Sequence, residues 1–175
     1  MIQRVSELEV LMLNLRNATV LLSVFVALAC RALDQSDHSA DVKAIRAVLD
    51  AHGEAWTRGE AVAAVATLTD DADWVGGDGQ TLEGKAAILA MHEKMLAGPA
   101  KGTRHSHPGT PNIRFIRSDV AIVDGNSEMS GFRDENGKQL PAGYSRYAAV
   151  FVKQEGKWLV TAFRSLPQVK VNRID

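Results

Sequence analysis

The sequence predicts an α+β domain in which helices pack on one face of a curved antiparallel sheet. Three observations predict this class: apolar residues recur at helical spacing in the first half, β-rich runs fill the second half, and turn residues separate those runs. The chain has 175 residues, of which 46% are hydrophobic and 23% are charged. These values are typical of one globular domain and exclude a wholly disordered chain.

Composition also excludes several classes of function. The net charge is −1 and no basic patch is present, so nothing in the sequence favours binding to nucleic acid. The only cysteine is Cys30, which excludes an intrachain disulfide framework and a cysteine-based zinc site.

The first 29 residues predict a signal peptide. An uncharged run over residues 18–29 follows Arg16 and ends in Ala27 and Ala29, the small residues that a cleavage site requires. As a helix this run would be about 18 Å long, shorter than the hydrocarbon core of a bilayer of about 30 Å. We therefore expect a secreted or periplasmic protein. The alternative, a buried N-terminal helix of the domain, is disfavoured because the run has no amphipathic period.

Residues 26–30 (VALAC) resemble a bacterial lipobox, although Ala27 stands where leucine is more usual. This resemblance implies a lipid on Cys30 that would anchor the protein to the envelope, and it is the only membrane association we expect. Cleavage without lipidation is the alternative. Met12 is a second candidate start for the signal, and residues 30–40 are predicted to be a tether.

Helices dominate the next part of the chain. A first helix is predicted from Asp41, its N-cap, to a stop at Gly59. Its buried stripe is predicted to contain Ile45, Val48, Leu49, His52 and Trp56. A second helix is predicted over residues 60–68, a brief strand over 72–75 and a third helix over 85–96.

Strands make up the rest of the domain. They are predicted over residues 113–116, 120–129, 144–152 and 158–163. The Asn136-Gly137 pair and the turn over residues 154–156 favour antiparallel pairing of consecutive strands. The mature domain is predicted over residues 41–168, followed by a tail over 169–175.

Four segments in this order resemble the nuclear transport factor 2-like superfamily, also called SnoaL-like or cystatin-like. They are AWTRGE at 55–60, LTDDADWV at 68–75, LEGKAAI at 82–88 and GKWLVTAFR at 156–164. Within the superfamily the chain is most similar to the SgcJ/EcaC subgroup, which keeps a histidine where His92 stands. The resemblance implies a cone in which the sheet wraps a long helix and leaves an internal apolar pocket for a small hydrophobic molecule. It also implies a homodimer formed through the open sheet face.

The resemblance covers many activities, from isomerases to non-catalytic binding domains. Ketosteroid isomerase, one member, uses a carboxylate base and two hydrogen-bond donors. Matched to this sequence, one donor falls on His52, the base on Gly76 and the protonated aspartate near Ala148. Glycine and alanine cannot transfer a proton, so this isomerase chemistry is not predicted. Asp78 is a candidate displaced base.

His52 is the main candidate for acid–base catalysis, because imidazole titrates near neutral pH. The alternative is a hydrogen-bonded core histidine. Trp56 and Trp74 are candidates for stacking on a flat ligand, or for core packing. His92 is a candidate pocket residue with a structural alternative.

Arg146 is a candidate for binding a carboxylate or an enolate, and Asn126 for lining the pocket. The alternative for both is an exposed strand residue. His105 and His107 are predicted to share one strand face, a spacing that some metal sites use. His92 or Asp78 could complete such a site, but the spacing in the sequence does not identify either one as a third ligand. Neither a metal site nor a cofactor is therefore predicted.

Two functions follow as hypotheses. The first is cofactor-free acid–base chemistry on a small hydrophobic molecule, with His52 as a proton shuttle. The second is a non-catalytic ligand-binding or association domain at the cell envelope.

Overall fold

The computed structural model describes residues 38–167. The predicted signal peptide, Cys30, most of the predicted tether and the tail lie outside the described residues. The helices are α1 (Ser39–Arg58), α2 (Ala61–Val65) and α3 (Lys85–Ala97). The strands are β1 (Leu68–Val75), β2 (Thr81–Glu83), β3 (Arg104–Ser106), β4 (Asn112–Arg117), β5 (Val120–Ser130), β6 (Gly143–Gln154) and β7 (Lys157–Pro167). Within residues 38–167, no helix combines the length and the apolar character that crossing a membrane requires.

The strands form one sheet in the order β2-β1-β7-β6-β5-β3, and β4 also pairs with β5. The pairing is antiparallel except between β1 and β7, which are parallel. The expectation of an antiparallel sheet is therefore wrong for this one pair. A parallel pair requires a long connection, and here the chain between the two strands forms α3 and the five strands β2 to β6.

Helix α1 follows the predicted amphipathic pattern. The buried residues of its stripe are Ile45, Leu49, His52, Gly53, Ala55 and Trp56. The helix ends at Gly59, whose φ of +76° is the left-handed conformation that glycine adopts readily at a helix C-terminus. Its start differs from the prediction, because Asp41 lies in the first turn and is not the N-cap. The Asp41 carboxylate instead accepts hydrogen bonds from Lys153 Nζ (2.7 Å) and Trp158 Nε1 (2.8 Å).

The core lies between α1 and the concave face of the sheet. Its largest fully buried side chains are Tyr147, Phe151, Ile45, Leu68, Ile88, His92, Val123 and Thr103. The second helix is shorter than predicted because Leu68 belongs to β1, where it pairs with Val160 of β7. Strand β2, with three residues, was not predicted because so short a run carries no readable alternation. The strand face predicted to carry His105 and His107 is only partly correct, because β3 ends at Ser106 and His107 follows it.

Candidate functional site

Four histidines meet in the interior of the domain, and we call them the histidine cluster. His52 lies on α1, His92 on α3, His105 on β3, and His107 directly after β3. The ring centroid of His52 lies 5.6 Å from that of His92, 5.2 Å from that of His105 and 5.9 Å from that of His107. His52 and His92 are buried, whereas His105 and His107 are half-buried. His52 is therefore the central ring of the cluster.

A glycine permits this assembly. Gly53 follows His52 on α1, and a Cβ atom at this position would lie 2.9 Å from the carbonyl oxygen of His105. The absence of a side chain lets the backbone of β3 approach the helix closely. The Thr57 hydroxyl, one turn later, accepts a hydrogen bond from the His105 amide at 3.1 Å. Helix α1 thus positions both its own histidine and the strand that carries the next one.

The hydrogen bonds of His92 determine the tautomer of His52. Nδ1 of His92 lies 2.9 Å from the carbonyl oxygen of Ile88. A carbonyl only accepts, so Nδ1 carries the proton, and Nε2 of the neutral His92 ring has the free lone pair. Nε2 of His52 lies 3.3 Å from that atom and donates to it. The remaining nitrogen of His52, Nδ1, therefore keeps a lone pair.

The other two rings each leave one buried nitrogen without a partner. Nε2 of His105 lies 2.8 Å from the Ser127 hydroxyl oxygen. Nδ1 of His105 and Nδ1 of His107 are both buried with no hydrogen-bond partner. An unsatisfied buried polar group costs about 1–3 kcal/mol, so two of them side by side indicate a functional site more than core packing.

Burial keeps these rings neutral. It lowers the pKa of His105 to about 3 and of His107 to about 4, and it lowers the pKa of His52 well below its ordinary value. The neighbouring imidazoles add to the lowering at His52. Burial also lowers the pKa of His92, although the Ile88 carbonyl opposes it. At neutral pH the cluster therefore offers lone pairs and not positive charge.

Aromatic side chains surround the cluster. The Trp56 ring lies 5.2 Å from the His92 ring, and its Nε1 donates to the Thr103 hydroxyl at 3.0 Å. Trp74 lies 5.9 Å from His52 and stacks on Phe163 at 4.0 Å. Both tryptophans thus have protein partners in the interior.

The interior hollow is much smaller than the predicted pocket. The cavity beside His52, Trp74 and His107 has a volume of about 10 Å³, which holds about one water molecule. Aromatic and imidazole rings fill most of the interior at this point, so the cavity beside His52 is smaller than a small hydrophobic molecule.

An open groove of about 510 Å³ lies next to the cluster, between α1, β3 and β5. Its charged and imidazole side chains include Asp50, Glu54, Arg58, Arg104, His105 and His107. His107 lines both this groove and the interior cavity. The histidine cluster therefore separates the groove from the interior.

Three predicted site residues lie elsewhere. Asp78 is exposed in the turn after β1, where its carboxylate accepts the Gln80 amide at 3.0 Å. Arg146 and Asn126 are exposed and lie opposite each other on β6 and β5. The structure does not bring these side chains to the histidine cluster.

The residue next to Arg146, Tyr147, is the one that reaches the interior. It is 1% exposed, and its ring lies 5.3 Å from that of His107. Burial raises its pKa to about 12. Sequence reasoning missed Tyr147 and also Ser127, the partner of His105. The spacing of Tyr147, Ala149 and Phe151 at every second residue is the signal that would have identified the inward face of β6.

A curved sheet wrapped on a long helix, with polar side chains converging against that helix, defines the cystatin-like or nuclear transport factor 2-like class of proteins. Residues 37–164 match the family model described as SnoaL-like domain. The chain belongs to this family. The SgcJ/EcaC subgroup remains a prediction, and no curated protein sequence matches the chain.

Solved structures share the fold at low sequence identity. A domain of unknown function with a cystatin-like fold from Nostoc punctiforme has a TM-score of 0.67 and 24% identity, over 77% of this chain and 82% of that one. A candidate scytalone dehydratase from Novosphingobium aromaticivorans has a TM-score of 0.65 and 18% identity, over 74% and 85%. A type 2 hexachlorocyclohexane dehydrochlorinase, LinA, has a TM-score of 0.67 and 16% identity, over 76% and 88%.

Proposed function

We propose that this domain transforms a small molecule, held in the groove, by proton transfer at the histidine cluster. The observation that carries the proposal is the convergence of four neutral imidazoles, two of which line the groove. His105 and His107 face the groove and accept or return the proton. His52 contacts all three other rings and is the proton shuttle behind them.

The groove suits a molecule with both polar and apolar parts. Leu49 and Pro108 supply apolar surface, while Arg58 and Arg104 lie among acidic side chains. This differs from the purely hydrophobic ligand expected from the sequence. Two structural relatives are named for eliminations, a dehydratase and a dehydrochlorinase, and elimination is a reaction that a positioned base promotes.

The test is turnover of a panel of small elimination substrates, including scytalone and hexachlorocyclohexane, followed by mass spectrometry of the products. We expect His52→Ala and His107→Ala to lower turnover by about 100-fold or more, the usual contribution of a general acid or base. His38→Ala is the matched control, because His38 stacks on Phe115 outside the cluster. Unchanged turnover in His52→Ala would contradict the proposal.

A second candidate function is a non-catalytic association domain that dimerises through its outer sheet face. Tyr144 on β6 and Leu166 on β7 favour it, because they are large hydrophobic side chains that are 57% and 49% exposed. We expect light scattering of the unmodified protein to give the mass of a dimer. The double variant Tyr144→Lys and Leu166→Lys should give the mass of a monomer. A monomer across micromolar concentrations of the unmodified protein would reject it.

We further propose that the protein is exported and that its signal is cleaved before Cys30, with or without a lipid on the thiol. The apolar run over residues 18–29 and the small residues before Cys30 support this. The mass and the N-terminal sequence of protein recovered from a bacterial host test it, with Cys30→Ser as the control for lipidation. An N-terminus that retains residues 1–29 would contradict export.

A further inference from the structure

Three members of the histidine cluster place ring nitrogens close enough to share one ion. His52, His105 and His107 each offer a nitrogen, and these atoms all lie within 4.8 Å of one another. We propose that these three residues form a binding site for a single divalent first-row transition-metal ion, with Zn²⁺ as the reference ion. The inference uses the cluster of the proposed function but does not depend on proton transfer.

The spacing of the rings matches such a site. With Zn–N bonds of about 2.0–2.1 Å and tetrahedral angles, the ring centroids of ligating imidazoles lie about 5 Å apart. The centroid distances here are 4.7 Å between His105 and His107, 5.2 Å between His52 and His105, and 5.9 Å between His52 and His107. Small rotations of the rings would therefore suffice to converge the three nitrogens.

The hydrogen bonds of the rings match it as well. A ligating histidine usually donates its second ring nitrogen to a protein acceptor, which orients the ring and makes the ligating nitrogen more basic. His52 donates Nε2–H to His92, and Nε2 of His105 is paired with Ser127. His52 and His105 thus each have one nitrogen held by the protein.

The ring nitrogens without a protein partner are the ones that a metal ion would bind. Nδ1 of His105 and Nδ1 of His107 are buried and unpartnered, and Nδ1 of His52 keeps its lone pair. In a core that served packing alone, these unpartnered atoms would lower the stability without any compensating interaction. Both nitrogens of His92 are already paired, one with Ile88 and one with His52, so His92 is a positioning residue and not a ligand.

Access, charge and ligand type indicate the kind of ion. His105 and His107 line the open groove, which provides a path of entry. The Asp50 carboxylate acts electrostatically on His107, which favours a nearby cation. Neutral imidazole is a ligand for zinc, copper, nickel and iron, whereas magnesium and calcium prefer oxygen. Three protein ligands leave a fourth position open, as in catalytic zinc sites.

The experiment measures metal binding directly. The purified protein is dialysed against EDTA and titrated with ZnCl₂ by calorimetry, and with CoCl₂ by visible absorption. We expect one ion per chain, and the intense cobalt absorption of a four- or five-coordinate site. His105→Ala and His107→Ala should each weaken Zn²⁺ binding by at least about tenfold, and His92→Leu should weaken it through the orientation of His52.

His38→Ala is the matched control, since it removes a histidine outside the cluster and should leave the affinity unchanged. Zn²⁺ should also raise the melting temperature of the unmodified protein but not that of His105→Ala, because only a folded site binds the ion. Failure of the unmodified protein to bind one Zn²⁺, or equal binding by His105→Ala and His38→Ala, would overturn the metal site. Turnover by the EDTA-treated protein is measured separately, so loss of the metal proposal and loss of the acid–base proposal are distinguishable.

Discussion

Nε2 of His52 and Nε2 of His92 lie 3.3 Å apart in the interior, and the carbonyl oxygen of Ile88 determines which of the two donates. This single contact joins α1 to α3. It also sets the tautomer of His52 and leaves the other nitrogen of that ring to the remaining histidines. The orientation of the central ring therefore depends on a residue of α3 that does not face the groove.

The first prediction concerns this contact. His92→Leu leaves Nε2–H of His52 buried without an acceptor, and we expect the free energy of unfolding to fall by about 1–3 kcal/mol. Urea denaturation measures the change. If the two rings are coupled, His52→Leu combined with His92→Leu should cost less than the sum of the single variants. Additive losses would show that the two rings do not interact.

The second prediction concerns the buried hydrogen bond from Trp56 Nε1 to the Thr103 hydroxyl, at 3.0 Å. Thr103→Val keeps the shape of the side chain but removes the acceptor. We expect a loss of about 1–3 kcal/mol in the free energy of unfolding, because the indole N–H is left unsatisfied. Urea denaturation followed by tryptophan fluorescence measures it.

Thr103→Ser is the matched control, since it retains the hydroxyl and loses only a methyl group. It should retain more stability than Thr103→Val. The reverse order would mean that packing, and not the hydrogen bond, makes Thr103 important.

The third prediction concerns Gly125 on β5. A Cβ atom there would overlap the ring and the hydroxyl of Tyr147, which is fully buried and cannot move away. Gly125→Ala should lower the free energy of unfolding by about 1–3 kcal/mol, as overpacking of a core does. Thermal and urea unfolding measure the loss.

Gly143 on β6 offers the matched control. The nearest atom to a Cβ at Gly143 is the Met129 carbonyl oxygen at 3.9 Å, an ordinary contact. Gly143→Ala should therefore change stability by no more than about 0.5 kcal/mol. Equal effects of the two substitutions would contradict the close approach of Tyr147 to β5.

The fourth prediction concerns the stability of the fold at acid pH. The hydrogen bonds from Lys153 and Trp158 lower the pKa of Asp41 below its ordinary value of 3.8. A carboxyl group whose pKa is lower in the folded protein stabilises the fold above its unfolded pKa, and this stabilisation is lost as the pH falls through the folded pKa. Asp41→Asn should therefore destabilise the protein at pH 7, and the difference from the unmodified protein should shrink below about pH 4.

Urea denaturation at pH 7 and at pH 3 measures this difference. The exposed Asp71 provides the control for loss of a surface carboxylate, and Asp71→Asn should change the free energy of unfolding by no more than about 0.5 kcal/mol at pH 7. A difference for Asp41→Asn that is the same at both pH values would show that the ion pair contributes no acid sensitivity.

Much of the fold follows from local patterns. The stripe of α1 and its stop at Gly59 were predicted because helical periodicity and a C-terminal glycine are local properties of the chain. The four long strands of the second half were predicted for the same reason, from β-rich runs between turns. The parallel pairing of β1 with β7 was not predicted, because pairing between distant segments leaves no local signal.

On a strand, a shift of one residue is enough to make a prediction of the inward face wrong. Arg146 was a candidate pocket residue with an exposed strand residue as the alternative; it is exposed, and its neighbour Tyr147 is the buried residue. Successive side chains of a strand point to opposite faces, so an error of one residue exchanges the inside for the outside. Which face of β6 points into the core is decided only by the packing of β6 between β5 and β7 and under α1.

The sequence by itself determined the class of fold and the helix that carries His52, and it predicted that His105 and His107 share one strand face, of which the structure keeps only His105 in the strand. It did not determine that these residues meet, and therefore it predicted no metal site. Their meeting depends on the approach of β3 to Gly53 of α1 and on the pairing of β3 with β5. Such contacts between distant parts of the chain are decided by the packing of the whole domain, which minimises exposed apolar surface and unpaired polar groups together.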